Sequence, residues 1–267
     1  MPNDTYSHGH HESVLRSHSW RTAANSAAYL VPHLGPGMRL LDVGCGPGTI
    51  TLDLAQLVAP GQVVAIEPVP SPLEVARTIA AERGDTTTVF ALGDVYDLDF
   101  PDDTFDVVHA HQVLQHLTDP VAALREMRRV CRPGGLVAAR DADYAAMTWH
   151  PADSRLDAWL SLYEQVARGN RAEPDAARHL LGWAHAAGFD TVTCSADAWC
   201  YATRDERFWW GGLWADRVTK SALADQAIAR GLATAAQLDD LASGWRDWAA
   251  HPDGWFAVTN GEILARA

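Results

Sequence analysis

Residues 40–55 read LLDVGCGPGTITLDLA, and this stretch restricts more than any other what the chain can become. Leu40, Leu41 and Val43 make an apolar run suited to a buried strand, and the residues from Thr49 onward carry helical spacing. Gly44, Gly46 and Gly48 therefore fall on a strand-to-helix turn, directly after Asp42. A glycine turn lets backbone approach a ligand closely, because no Cβ stands in the way. Turns of the form Gly-x-Gly-x-x-Gly seat a diphosphate at the helix N-terminus, but here the pattern is Gly-x-Gly-x-Gly. Pro47 removes an N–H donor and Asp42 adds a negative charge, both poor choices for holding phosphate. They suit a ligand that is uncharged or cationic at that point, such as an amino-acid ammonium or a sulfonium.

From Met38 to about Tyr144, short apolar runs alternate with helical stretches, the pattern of an α/β protein with a parallel sheet covered on both faces. Strands are predicted at 39–43, 63–67, 88–91, 105–110 and 135–140. Ser71-Pro72-Leu73-Glu74 predicts a capping box with Pro72 at the first helical position, and Gly84 is placed to end that helix. Asp119-Pro120 opens the next helix, with Leu124, Met127, Val130 and Cys131 as its buried stripe. After Tyr144 the texture changes: of 11 tryptophans only Trp20 precedes Trp149. Two more strands fit the tail, at about 190–202 and 255–265. The expected organisation is an N-terminal helical segment at 1–37, a ligand-binding core at 38–148, helical insertions at 149–185 and 204–252, and core strands within 186–203 and 253–267.

A chain of 267 residues with 48% hydrophobic and 21% charged residues has the composition of a folded globular protein. No apolar run approaches the ~18 residues needed to span a bilayer. The N-terminus lacks the basic start and apolar stretch of a secretion signal, so a cytoplasmic location without membrane attachment is expected. Cys45, Cys131, Cys194 and Cys200 are too scattered for a disulfide framework, and with no CxxC pair no metal site is expected. The net charge of -13 repels a phosphate backbone, which points to small substrates and away from nucleic acid.

The motifs in order resemble those of class I S-adenosylmethionine-dependent methyltransferases, nearest the ubiquinone/menaquinone-type and small-molecule subgroup. The glycine turn corresponds to the first motif of that family. VVAIEPVPSPLEVAR places Glu67, 25 residues after Asp42, where the family has an acid for the ribose hydroxyls. ALGDVYDLDFPDDTFDVV resembles the third and fourth motifs, AHQVLQHLTDP the segment after the fourth strand, and VCRPGGLVAARD the turn into the fifth. The resemblance covers residues 38–145 well and the tail by strand plan only. It implies a Rossmann-like, doubly wound, seven-stranded, mostly parallel sheet with helical cap insertions, and S-adenosylmethionine as cofactor. By the same match Asp42, Gly44, Cys45, Gly46 and Gly48 line the cofactor. Asp94 meets the adenine amino group, the Val95 backbone a ring nitrogen and Pro68 the ring face. His111 and Gln112 border the methionine end.

Methyl transfer needs alignment of an acceptor lone pair or carbanion with the S–CH3 bond and exclusion of water, with a base only where the acceptor must lose a proton. His111 after the fourth strand and Asp141 after the fifth are the candidate catalytic residues, each with a plainer reading as a positioning or loop-bonding group. His116 reads as structural. His8, His10, His11 and His18 admit three readings: metal ligands, a lid over the site, or solvated side chains. The family resemblance favours the lid, which places His8 and His11 at the substrate pocket. Trp149 and Trp210 are expected there too, while most tryptophans are expected to pack a helical cap. The implied reaction is direct methyl transfer to a small hydrophobic or aromatic metabolite, and a homodimer is compatible with the sequence. The alternative is a protein of the same fold that binds S-adenosylmethionine without methylating.

Overall fold

A computed structural model describes residues 4, 5, 7, 18 and 20–267. Strands β1 (Leu40–Val43), β2 (Val63–Glu67), β3 (Val89–Leu92), β4 (Phe105–His111) and β5 (Cys131–Ala142) form the parallel part of one sheet. All residues of β1 and β2 are buried, as continuous apolar runs covered on both faces require. β8 (Trp255–Arg266) runs antiparallel to β5, and β7 (Val192–Tyr201) pairs antiparallel with β8. The order is β3-β2-β1-β4-β5-β8, with β7 outside β8. Among the described residues the sheet has eight strands where seven are expected, because the short β6 (Thr148–His150) rejoins β8 beyond the point where β5 leaves it. The chain reverses its direction of travel across the sheet between β1 and β4, which opens the crevice where ligands of such sheets bind.

The sheet is covered by helices on both faces: α1 (Ala23–Ser26) and α2 (Thr49–Val58) pack on one, α4 (Pro120–Val130) on the other, and α3 (Pro70–Glu82) follows β2. The capping box expected at Ser71 and Glu74 does not form. The helix starts earlier, at Pro70, with Val69 as an N-cap that makes no side-chain bond. Pro70 supplies the helix-compatible φ and a missing donor that costs nothing at N1, so it starts the helix ahead of Ser71. Asp119 caps α4 as expected, accepting from the Ala122 N–H, and Leu124, Met127 and Val130 are fully buried.

The tail builds a helical cap from α5 (Ser154–Gly169), α7 (Arg204–Lys220), α8 (Ala222–Ala229) and α9 (Ala235–Ala250). Its core is aromatic: Trp159, Trp214, Trp245 and Trp248 are buried around Phe256 of β8. Each such ring removes a large apolar area from water, which lets a few helices hold a second core. The helix between them, α6 (Leu180–Ala186), packs elsewhere. Leu180 and Ala184 join Leu124 and Met127 in the cluster beneath the sheet, so the segment expected as one insertion at 149–185 is divided between cap and sheet layer. Among the described residues no helix is long and apolar enough to cross a membrane.

Candidate active site

Three positive-φ glycines turn the chain from β1 into α2: Gly44 at +68°, Gly46 at +53° and Gly48 at +75°. A Cβ on Gly44 would come within 2.5 Å of Val113 Cγ2, and one on Gly48 within 3.0 Å of both Ala76 and Phe90. Conformation and space both demand glycine there. The turn is tied to β2 by Gly44 and Cys45, whose N–H groups both donate to the Ile66 carbonyl. Gly46 N–H donates to Glu67 Oε2 at 3.1 Å.

Asp42 is buried at the end of this strand, and both its oxygens have protein partners. Thr51 Oγ1 donates to Oδ2 at 2.5 Å, and His109 Nδ1 lies 2.7 Å from Oδ1. Asp42 therefore fastens β1 to α2 and β4, and its charge acts on the crevice from behind the turn.

The crevice is a cavity of about 670 Å³. Asp42, Gly44, Cys45, Gly46, Glu67, Pro68, Asp94, Val95, His111 and Gln112 stand on its wall. Gly48 is not on that wall; it is the N-cap of α2. Burial pushes the Glu67 carboxyl up to about 7, against the opposing pull of the Gly46 and Val69 N–H groups. Burial first, and then the Asp42 and Glu67 carboxylates, push the Cys45 thiol far up, so it stays protonated and is no nucleophile. Asp94 spends one oxygen on the Tyr96 N–H at 2.9 Å.

At the opposite end of the crevice Gln112 adopts a positive φ of +52°, a strained backbone held by side-chain bonds on both sides. Its Oε1 accepts from Arg21 Nη2 at 2.8 Å and its Nε2 donates to Asn260 Oδ1 at 3.2 Å. His111 Nδ1 lies 3.5 Å from Arg21 Nη1. Burial first, then Arg21, lowers the His111 pKa well below the ordinary imidazole range, so the ring is neutral. Asp141 is absent from both cavity walls described here: it is fully buried and accepts the Gln115 N–H at 3.1 Å. Burial raises its carboxyl to about 8.

A second, inner chamber of about 30 Å³ adjoins the crevice and shares His18, Arg21, Gln112 and His116 with it. Trp20, Trp199, Trp210, Tyr144, Tyr201 and Arg217 complete most of its wall. Trp210 lines this chamber, stacked on Tyr201 at 4.4 Å. Trp149 is on neither wall: it lies against Phe256 at 5.6 Å and packs on the cap core. His8, His10 and His11 lie outside the described residues. His116, read from the sequence as structural, is on both walls, and Arg21 and Arg217 were not singled out at all. A lone arginine beside a tryptophan carries no sequence signal. Among the described residues no cluster of three His, Cys, Asp or Glu side chains is placed to hold a metal ion.

A glycine turn of close approach, a buried acid at the end of β2 and a half-buried one just after β3, all at the switch point of a mostly parallel sheet, make a Rossmann-like site suited to a nucleoside ligand. Comparison with known proteins agrees. Residues 34–200 match the family model described as a methyltransferase domain. An uncharacterized methyltransferase of Schizosaccharomyces pombe is 35% identical over 97% of this chain and 95% of its own length. A probable methyltransferase of Aspergillus luteorubrus is 28% identical over 98% and 97% of the two chains. The solved YcgJ protein of Bacillus shares the fold at a TM-score of 0.59, with 18% identity over 90% of this chain and 97% of that one. The chain belongs to the class I S-adenosylmethionine-dependent methyltransferases. S-adenosylmethionine is its cofactor, and the crevice fits it in chemistry: carboxylate acceptors on its wall and a turn with no side chain in the way.

Proposed function

We propose that the chain methylates a small hydrophobic or aromatic molecule held where the inner chamber meets the crevice. One observation carries this reading: the chamber shares a wall with the crevice at Arg21, Gln112 and His116 and is otherwise bounded largely by aromatic rings. The rings that flank this junction suit an acceptor with an apolar body, and the net charge of -13 repels a phosphate backbone.

Within this reading Glu67 accepts from the ribose hydroxyls, Asp94 from the adenine amino group, and Pro68 and Val95 flank the ring. Gln112 and His111 border the methionine end. When bound, the cofactor supplies an activated methyl group whose carbon accepts the acceptor's electron pair while the C–S pair stays with sulfur. The chain's task is to align and to keep dry. His111, held neutral by burial and Arg21, is a weak proton acceptor, so it orients the acceptor instead of drawing a proton from a poorly acidic one. Asp141 acts at one remove, fixing the loop that presents Gln115 and His116. His18, Trp20 and Arg21 come from the N-terminal segment and stand on the chamber wall, which supports the lid reading of that segment.

The test is the fate of a labelled methyl group. Incubating the enzyme with methyl-labelled S-adenosylmethionine and a cell extract is expected to place label in the small-molecule, organic-extractable fraction. Label confined to protein or RNA would overturn the proposal.

A further inference from the structure

β7 runs from Val192 to Tyr201 in unbroken antiparallel register with β8, and among the described residues no strand pairs with its other side. Every residue from Thr193 to Ala198 is exposed, and so is Cys200, so both faces of this stretch stand open. The direction of its backbone groups follows from one bond. Arg266 N–H donates to the Thr191 carbonyl, next to the register pair of Val192 with Ala265. In an antiparallel pair, residues that exchange bonds alternate with residues that do not, so Thr193, Ser195, Asp197, Trp199 and Tyr201 spend their N–H and C=O groups on β8. Val192, Cys194, Ala196, Ala198 and Cys200 turn theirs to the open edge.

A row of unpaired backbone groups is a template for another strand, and proteins that must keep an edge single blunt it with lysine, proline or a bulge. The sequence VTCSADAWCY has no lysine, arginine or proline, and its pairing with β8 has no bulge. Its one charge, Asp197, is turned to Arg140 Nη1 at 3.3 Å. The outward residues are moreover symmetric about Ala196, and this symmetry specifies a partner. With a second copy of β7 antiparallel about a two-fold axis at Ala196, Val192 faces Cys200 of the other copy, Cys194 faces Ala198, and Ala196 faces itself. Every outward N–H and C=O is then bonded, two bonds to each pair. The side chains of these residues, all small or apolar, share one face of the joined sheet. Ser195 faces Asp197, so no like charges are opposed. An axis at Asp197 would set two carboxylates against each other, and an axis two residues to either side of Ala196 would carry Val192 or Cys200 past the end of the facing strand.

We propose that β7 is the interface of a two-fold homodimer whose two sheets join into one across Ala196. Closed symmetry of this kind uses the β7 edge of both copies and leaves neither to recruit a third chain. It also holds from outside the strand that carries Trp199 and Tyr201 to the wall of the inner chamber.

Sedimentation equilibrium and light scattering of the full-length protein test this, with the wild type expected to be a dimer. Ala196→Pro removes an N–H that points away from β8, so the fold loses no bond while the axis loses both donors. The dimer dissociation constant is expected to rise at least about tenfold. Ala196→Lys sets two ammonium groups face to face, is expected to weaken the dimer likewise, and provides the comparison if the proline variant does not fold. S-adenosylhomocysteine affinity is expected to be unchanged in both. Ala196→Cys in a Cys194→Ser, Cys200→Ser background tests the register. Oxidation with diamide is expected to link two chains, because facing Cα atoms of a bonded pair lie about 5.5 Å apart, within reach of a disulfide. A wild type that is monomeric at about 0.1 mM would leave the edge to a strand of another protein and overturn the proposal. A dimer that both variants leave intact, or equal cross-linking without the added cysteine, overturns it too.

Discussion

Glu67→Ala is expected to weaken S-adenosylmethionine binding by about a hundredfold or more while the protein stays folded. The proposed role gives this carboxylate two ribose hydroxyls, and each hydrogen bond to a charged group is worth about 1.5–3 kcal/mol. Calorimetric titration of wild type and variant measures it, and an unchanged affinity would remove Glu67 from the cofactor site. The same group makes affinity depend on pH. Its carboxyl titrates near 7 in the free protein, and the ionised form is the better acceptor, so affinity should fall as pH drops below about 7, by at most about tenfold per unit. Folding responds with the opposite sign. Because the folded-state value is raised, Glu67 contributes stability that is complete below its unfolded value near 4.3 and is lost as pH rises through about 7. Glu67→Gln should therefore stabilise the free protein at pH 8 while binding the cofactor less well. Strain stored in an acid that must be ionised to work predicts this split between stability and function.

Arg140→Met is expected to destabilise the fold by about 3–5 kcal/mol, because it strands a buried carboxylate. Arg140 is fully buried on β5, with Nη1 donating to Glu262 Oε1 at 2.5 Å and to Asp197 Oδ2 at 3.3 Å. Ser195 Oγ donates to the other Glu262 oxygen at 2.6 Å. These residues make one row across the sheet, His111 beside Arg140, Arg140 beside Glu262, Glu262 beside Ser195. The guanidinium also lies over Trp199 at 5.2 Å, so the row supports an aromatic wall of the inner chamber. Removing both charges in Arg140→Met with Glu262→Met should recover most of the loss, since an apolar pair carries no desolvation cost. Urea unfolding of the single and double variants decides it. A single variant no less stable than the double would mean that the pair is not the reason for the cost.

Much of the core was legible because its signals are local. Strand ends, the three glycines and the Asp119 cap each depend on residues within a few positions, and periodicity or turn chemistry reports them directly. What was missed depends on partners far along the chain. Asp42 reads as a guard against phosphate, yet its oxygens are engaged by Thr51 and by His109, 67 residues away, and no spacing announces that pairing. Asp141 reads in the sequence as following a core strand, as a catalytic acid would, but β5 runs on through Ala142, and the Gln115 N–H takes the Asp141 oxygen. Arg21 and Arg217 meet at one chamber only through the docking of an N-terminal segment and a cap helix on the sheet. Tryptophan is equally ambiguous in sequence: nothing local to Trp149 or Trp210 says whether its ring lines a cavity or packs a core, and the stacking of Trp149 on Phe256 assigns it to the cap core. The capping box failed for a local reason, because Pro70 competes for the helix start and wins.

A crystal structure of the protein with S-adenosylhomocysteine tests the assignment of the two cavities most directly. It should show the ribose hydroxyls on Glu67, the adenine beside Asp94 and Pro68, and the sulfur directed toward Arg21 and the inner chamber. An adenosyl group seated away from Glu67, or a sulfur pointing out to solvent with the chamber closed off behind it, would contradict both the cofactor placement and the path proposed for the acceptor.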